Sequence, residues 1–362
     1  MTLDIALKYI LWVCIGGLLV SKLSTRRHID VLGNRRERWS IPALLLFLAP
    51  LIYWCGTRSF GFGDTYAYKT MYLDAPSSLS GVVAFANTYS KDQFFYGSAA
   101  VIKCLITENP RTYFLIIAAF QLLCLGFIYR KYSRNLWISI FLFVASTDYI
   151  VWMFNGMRQF LAATICFTAL PFIVKKKYIP AILLILLGSL MHKTALLLLP
   201  VTFIVQGKAW NKKTLLIILG TVLAVAFVGE FTSLLDSMLQ ETQYENVVTD
   251  WTEGKDDGTN TLRVLIYAVP TVIALIYKRT IQDSDNTLIN ICVNMSIIST
   301  AVYVVSMFTS GIFIGRLPIY MSLYNYILLP WELRHCFQKS SRLFVTASMC
   351  LIYFLFYCYS YM

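Results

Sequence analysis

Charge is what this chain has least of. Only 14% of its 362 residues are Asp, Glu, Lys or Arg, against roughly 25% in an ordinary soluble domain. Apolar residues make up 58% and the mean hydropathy is +0.64. That balance excludes a water-soluble globular protein. Metal-ligand and disulfide patterns are missing too. Nine cysteines (14, 55, 104, 124, 166, 292, 336, 350 and 358) include no CxxC, and most fall inside apolar runs. There cysteine behaves as a small hydrophobe, so neither a disulfide framework nor a zinc site is expected. The N-terminal stretch MTLDIALKYILWVCIGGLLVSK has no basic leader and no small-residue cleavage site. It reads as a retained helix rather than a signal peptide. There is no internal repeat and no low-complexity tract.

What remains is a series of apolar runs, and in lipid such runs must be helices. The expected fold is all-α: a polytopic integral membrane protein in one transmembrane domain, 1–362. Twelve spans are read, near 4–21, 40–55, 111–129, 136–153, 157–174, 178–191, 194–206, 214–230, 262–277, 287–308, 316–333 and 342–361. The runs 178–191 and 194–206 are short, as half-helices around His192 would be. Two outer segments exceed simple turns. One is a first periplasmic loop at 56–110 with a re-entrant or interfacial helix; the other is an acidic loop at 230–261.

The net charge of +12 would suggest nucleic acid if it were spread evenly, and it is not. Alternate loops (22–39, 130–135, 175–177, 207–213, 278–286 and 334–342) carry 20 of the 31 Lys and Arg, and only 5 of the 19 acids lie with them (Asp30, Glu37, Asp283, Asp285 and, just before the last loop, Glu332). Lysine and arginine mark the cytoplasmic side. Both termini are therefore expected outside, and no nucleic-acid partner is expected. The cytoplasmic loops are too short to hold a domain, so any chemistry belongs to the outer face.

Few polar residues stand out there. Arg158 and Arg316 each open a span on the outer side, and Arg58 follows the end of another. A guanidinium binds phosphate bidentately and keeps its charge, although at a helix end it also serves as a headgroup anchor. His192 is one of three histidines, and the other two, His28 and His335, lie in cytoplasmic loops. Imidazole suits a general base; it equally suits a donor at a helix break. Asp64, in Gly63-Asp64-Thr65-Tyr66, could deprotonate a sugar hydroxyl or cap the following helix. The spans hold almost no mid-membrane ionisable residue, which counts against an ion-coupled transporter.

Taken together, Arg58…Gly63-Asp64-Thr65…Tyr68, Asn155-Gly156-Met157-Arg158-Gln159, His192-Lys193-Thr194-Ala195 and Gly311…Arg316 resemble the EpsG family, which belongs with the Wzy-type O-antigen and capsule polymerases. Many members have an acid followed by proline near Asp92. Here Gln93 stands in the proline's place, so no role is carried over to Asp92.

The resemblance implies a GT-C-like glycosyltransferase of the inner membrane with a periplasmic active site. It would transfer a growing glycan from undecaprenyl pyrophosphate to the non-reducing end of a lipid-linked repeat unit. Donor and acceptor would both be undecaprenyl-pyrophosphate oligosaccharides in membrane lipid. A chain-length regulator would be a partner, and no cofactor or metal would be required. On that basis His192 is the expected base and Asp64 the second candidate. Arg158, Arg316 and Arg58 are expected on the pyrophosphate, with Gln159, Lys193 and Tyr66 orienting substrate. An O-antigen ligase building lipopolysaccharide, or a transferase using polyprenyl-phosphate sugar, would need much the same residues. A flippase for lipid-linked oligosaccharide is the rival of a different class.

Overall fold

The computed structural model describes residues 3–29, 35–239 and 258–362. Its contacts group into two compact units, Met1–Leu199 with Leu343–Met362, and Pro200–Arg342.

The first unit begins with α1 (Leu3–Ser24), a short antiparallel hairpin of β1 (Thr25–Ile29) and β2 (Arg35–Trp39), and α2 (Ile41–Gly56). The segment 56–110, expected to carry a re-entrant or interfacial helix, comes next. It folds as α3 (Thr65–Asp74), α4 (Val82–Asn87) and α5 (Gln93–Leu105). Then follow α6 (Pro110–Tyr132), α7 (Leu136–Ala145), α8 (Asp148–Asn155), α9 (Met157–Phe167), α10 (Leu170–Val174) and α11 (Tyr178–Met191). The second unit holds α12 (Leu198–Ile204, begun in the first unit), α13 (Lys212–Ala226), α14 (Val228–Leu239), α15 (Thr261–Ile276), α16 (Lys278–Asp283), α17 (Thr287–Met307), α18 (Ile319–Ser322) and α19 (Asn325–His335). Helix α20 (Arg342–Tyr359) returns to the first unit. Most of the acidic segment 230–261 lies outside the described residues.

All twelve apolar runs are helical, but not as twelve spans. Among the described residues five helices are long and apolar enough to cross a membrane, or six if the bent pair α7–α8 counts as one. Length is the reason. Helix α2 has 16 residues and α11 has 14, which at 1.5 Å per residue reach about 24 and 21 Å of a hydrocarbon core about 30 Å thick. The run 136–153 bends by 72° between α7 and α8, where Thr147 takes a left-handed φ of 71°. The run 316–333 is divided among a 3₁₀ turn, α18 and α19. The run 194–206 starts as a 3₁₀ turn.

Polar side chains fix the ends of these helices. Ser40, Asn109, Asn135, Asn211, Asn260 and Asn286 each accept from a backbone N–H in the first turn that follows, using donors a helix start leaves unpaired. Inside the first unit Trp12 donates to the Phe47 carbonyl, Trp137 to that of Val13 and Tyr357 to that of Ala6. These bonds tie α2, α7 and α20 to α1 where hydrocarbon offers no water as a substitute.

Helices α9 and α11 pack closely because Gly188 has no side chain. A Cβ there would lie 2.5 Å from Cys166 Sγ and 3.1 Å from the Ala162 carbonyl oxygen. Gly188→Val should therefore force the two helices apart and cost about 1–3 kcal/mol, read as a lowered midpoint of thermal unfolding in detergent. Gly220→Ala, at a position with nothing within 4 Å of the added Cβ, should leave the midpoint unchanged.

Candidate functional site

Four breaks in the helical pattern of the first unit converge. The first is the turn before α3. Gly63 has φ +50°, and a Cβ on it would fall 1.6 Å from Asn155 Oδ1, so only glycine admits this approach. Asn155 Oδ1 accepts from the Asp64 backbone N–H at 3.3 Å, which docks the Gly63-Asp64 turn onto the start of the Asn155–Gln159 motif. Arg58 reinforces the joint from beneath. It is buried, with its guanidinium donating to Thr65 Oγ1 (3.0 Å) and the Cys55 carbonyl (2.7 Å) and reaching Met157 Sδ. The rings of Phe114 and Phe154 lie 4.4 and 5.3 Å from it, and such faces attract a cation.

The second break is the start of α5. Asp92 sits there in the left-handed region with φ 51°, and its side chain is 1% exposed. The third is the start of α9, which carries Arg158. The fourth is the end of α11, where His192 leaves the helix at φ −158° and ψ 120°. Asp92 Oδ2 accepts from Arg158 Nη1 at 3.0 Å and lies 2.9 Å from His192 Nδ1. One carboxylate oxygen thus joins residues 66 and 100 positions away. The other oxygen, Oδ1, is buried and has no hydrogen-bond partner.

Aromatic residues wall this cluster. Arg158 Nη1 also donates to the Tyr96 hydroxyl at 3.0 Å. Tyr96 stacks on Tyr89 with centroids 3.5 Å apart, and Tyr68 meets Phe95 edge-on. Burial pushes the Tyr68 and Tyr96 phenols up, with the Arg158 cation opposing the rise in both. Both phenols therefore stay protonated at neutral pH and keep a hydrogen to donate. Opposite a carboxylate, Nδ1 of His192 carries a proton, which places the lone pair of the neutral ring on Nε2. The Arg158 side chain is 30% exposed and that of His192 13%, so the cluster is sheltered but reachable. Chemically it combines a fixed guanidinium with a carboxylate-oriented imidazole.

The residues expected from the sequence divide accordingly. Arg158 and His192 meet, through an acid to which no role was carried over. Asp64 is exposed, and its side chain makes no capping bond to α3; Tyr66 (63% exposed) and Lys193 are also on the surface. Gln159 is buried on α9. Arg58 faces inward rather than toward solvent. Arg316 is exposed and belongs to the second unit. Sequence reasoning missed Asp92 as the hub, and Tyr96 with it. The one signal in the chain is an acid one residue away from an aromatic run, Asp92-Gln93-Phe94-Phe95-Tyr96.

The first unit thus belongs to a multi-spanning helical membrane protein that carries an arginine–carboxylate–histidine cluster at the broken ends of its helices. The chain belongs to the EpsG family, whose model matches residues 41–362; it is a family of Wzy-like polysaccharide polymerase-type membrane proteins. No curated protein and no solved structure matches it.

Removing the Asp92 carboxylate would leave Arg158 and His192 facing each other without their shared acceptor. Asp92→Ala should cost about 1–3 kcal/mol, below the value for a fully buried pair because Arg158 is partly solvated. Thermal unfolding of the purified protein checks this, and Asp92→Asn, which keeps an acceptor, should lose less.

Proposed function

We propose that the protein polymerises a surface polysaccharide at the outer face of the bacterial inner membrane. It would transfer a growing glycan from undecaprenyl pyrophosphate to the non-reducing end of a lipid-linked repeat unit. The observation that carries this reading is the single Asp92 oxygen shared by Arg158 and His192.

The donor needs no nucleotide, because pyrophosphate is already a good leaving group. In the transfer, an acceptor hydroxyl oxygen bonds to the anomeric carbon while that carbon's bond to the pyrophosphate oxygen breaks. Negative charge grows on the departing pyrophosphate, and a positioned guanidinium stabilises it most where water is excluded. Arg158 supplies that group. Its tie to Asp92 and Tyr96 sets its direction before substrate arrives, so little reorganisation is needed in the transition state. His192 takes the acceptor hydroxyl proton on Nε2. Asp92 acts through it, holding the ring and favouring the imidazolium as it forms, as an acid does behind any catalytic histidine. The products are a glycan longer by one unit and undecaprenyl pyrophosphate.

The remaining residues take supporting places. Arg58, buried beneath the Gly63–Thr65 turn, is a positioning residue rather than a phosphate ligand. Asp64 and Tyr66 lie exposed on that turn and line the approach of the acceptor sugar, with Lys193 beside His192 and Gln159 beside Arg158. Arg316 belongs to the second unit and has no part in this step.

Deletion in the host, followed by electrophoresis that resolves single repeat units, tests the reading. The ladder should collapse to core plus one unit; loss of that unit as well would point to a ligase or a flippase. Arg158→Ala should lower the polymerisation rate about 10²–10³-fold at normal protein abundance. Arg158→Lys keeps the charge and loses the fork, so it should recover only part of the rate. Long chains made by Arg158→Ala would remove Arg158 from the mechanism.

A further inference from the structure

Arg158 has fewer hydrogens to give than its charge suggests. A guanidinium carries five, two of them on Nη1. Nη1 donates to Asp92 Oδ2 and to the Tyr96 hydroxyl, each at 3.0 Å, so both of its hydrogens are engaged. A further bond joins the same side chain to the Tyr68 phenol. No more than two of the five N–H groups are then left for a ligand. A departing pyrophosphate gains charge on several oxygens, each able to accept more than one hydrogen bond, and this guanidinium alone leaves some of them unserved.

The Tyr96 hydroxyl supplies what is missing. A guanidinium has donors and no acceptor, so its bond to Tyr96 uses the phenol oxygen and leaves the phenol hydrogen over. No group among the described residues takes that hydrogen. Accepting from a cation also polarises the O–H and strengthens it as a donor. The ring is held in place. It stacks on Tyr89 at 3.5 Å with the planes 6° apart and meets Phe95 edge-on at 5.5 Å. It also stands one turn beyond Asp92 on α5. Tyr68 bonds to the same arginine but is buried in an apolar cluster with Met71, Phe95 and Leu161. Tyr96 is half-buried beside an arginine that is itself partly exposed.

We propose that Tyr96 is a catalytic residue whose O–H donates a hydrogen bond to the pyrophosphate oxygen that leaves the anomeric carbon. The inference rests on the polymerase reading and adds to it a second contact on the leaving group. As the bond from the anomeric carbon breaks, its electron pair goes to that oxygen. The Tyr96 O–H and the remaining Arg158 N–H groups hold the charge together. Tyr96 keeps its proton throughout, and the proton of the acceptor hydroxyl still goes to His192. The phenol must be neutral for this role. A phenolate would accept from Arg158 at least as well, but it would donate nothing to an anion and would repel it.

Fluorinated tyrosines separate donation from mere holding. The full chain is purified with tyrosine, 3-fluorotyrosine or 3,5-difluorotyrosine at position 96. Lipid-linked repeat units extracted from the deletion host serve as donor and acceptor. Each fluorine makes the phenol a better donor and a poorer acceptor. At mildly acidic pH kcat should rise with each fluorine. A falling limb should appear at high pH and move to lower pH with each fluorine. Tyr96→Phe, which keeps the stack on Tyr89, should lower kcat about 10²-fold and change KM for the donor by less than about threefold. A tyrosine that only positions Arg158 would give flat or falling rates on fluorination and no such limb. Either result, or a Tyr96→Phe rate within about twofold of the wild type, overturns the proposal. If Tyr96→Phe unfolds at a lower temperature, the fluorinated series alone decides. A wild-type protein that joins no units would remove the polymerase reading and this inference with it, whereas joining that ignores fluorination would remove Tyr96 alone.

Discussion

One carboxylate oxygen holds together the broken helix ends of the first unit. Asp92 is nearly fully buried, and a buried charge persists only when it is paired and hydrogen-bonded. Arg158 and His192 meet that requirement together, and in doing so they fix the relation of α5, α9 and α11. The same constraint explains the breaks in those helices. Asp92 takes a left-handed backbone before α5, and His192 turns out of α11, because continuous helices would not aim the three side chains at one point. The left-handed backbone of Asp92 is held only where its surroundings over-determine it.

A second layer keeps that geometry in place. Gly63 admits Asn155, Asn155 holds the Asp64 backbone, and Arg58 pins Thr65 and reaches Met157. Residues 57–65 and 155–158 are thereby one structural piece, although nearly a hundred positions separate them. Arg58 shows why a basic residue near a site need not be a ligand. Its cation lies between two aromatic rings and is already bonded to a backbone carbonyl and a hydroxyl.

Much of this was legible in the chain. The apolar runs marked the helical segments, and the Arg158 and His192 motifs could be seen because each interrupts an apolar stretch at one end. The twelve-span count was not legible. The run 178–191 already read as short, but hydropathy does not register that Thr147 bends 136–153 sharply or that 316–333 is divided into three pieces. Asp92 escaped for a different reason. An acid declares its partner only by proximity, and both of its partners are more than sixty residues away. Arg58 was visible as a residue, but its inward direction depends on Phe114 and Phe154, which no local pattern supplies.

The central claim is that Asp92 works through His192 rather than beside it. A double-mutant cycle on polymerisation by the purified protein, using a lipid-linked repeat unit as donor and acceptor, tests that claim most directly. Residues that act as one unit are strongly non-additive. The account predicts that Asp92→Asn combined with His192→Ala is slower than His192→Ala alone by no more than about twofold. Losses that multiply across the two sites would contradict it, and would leave Asp92 and His192 as independent contributors.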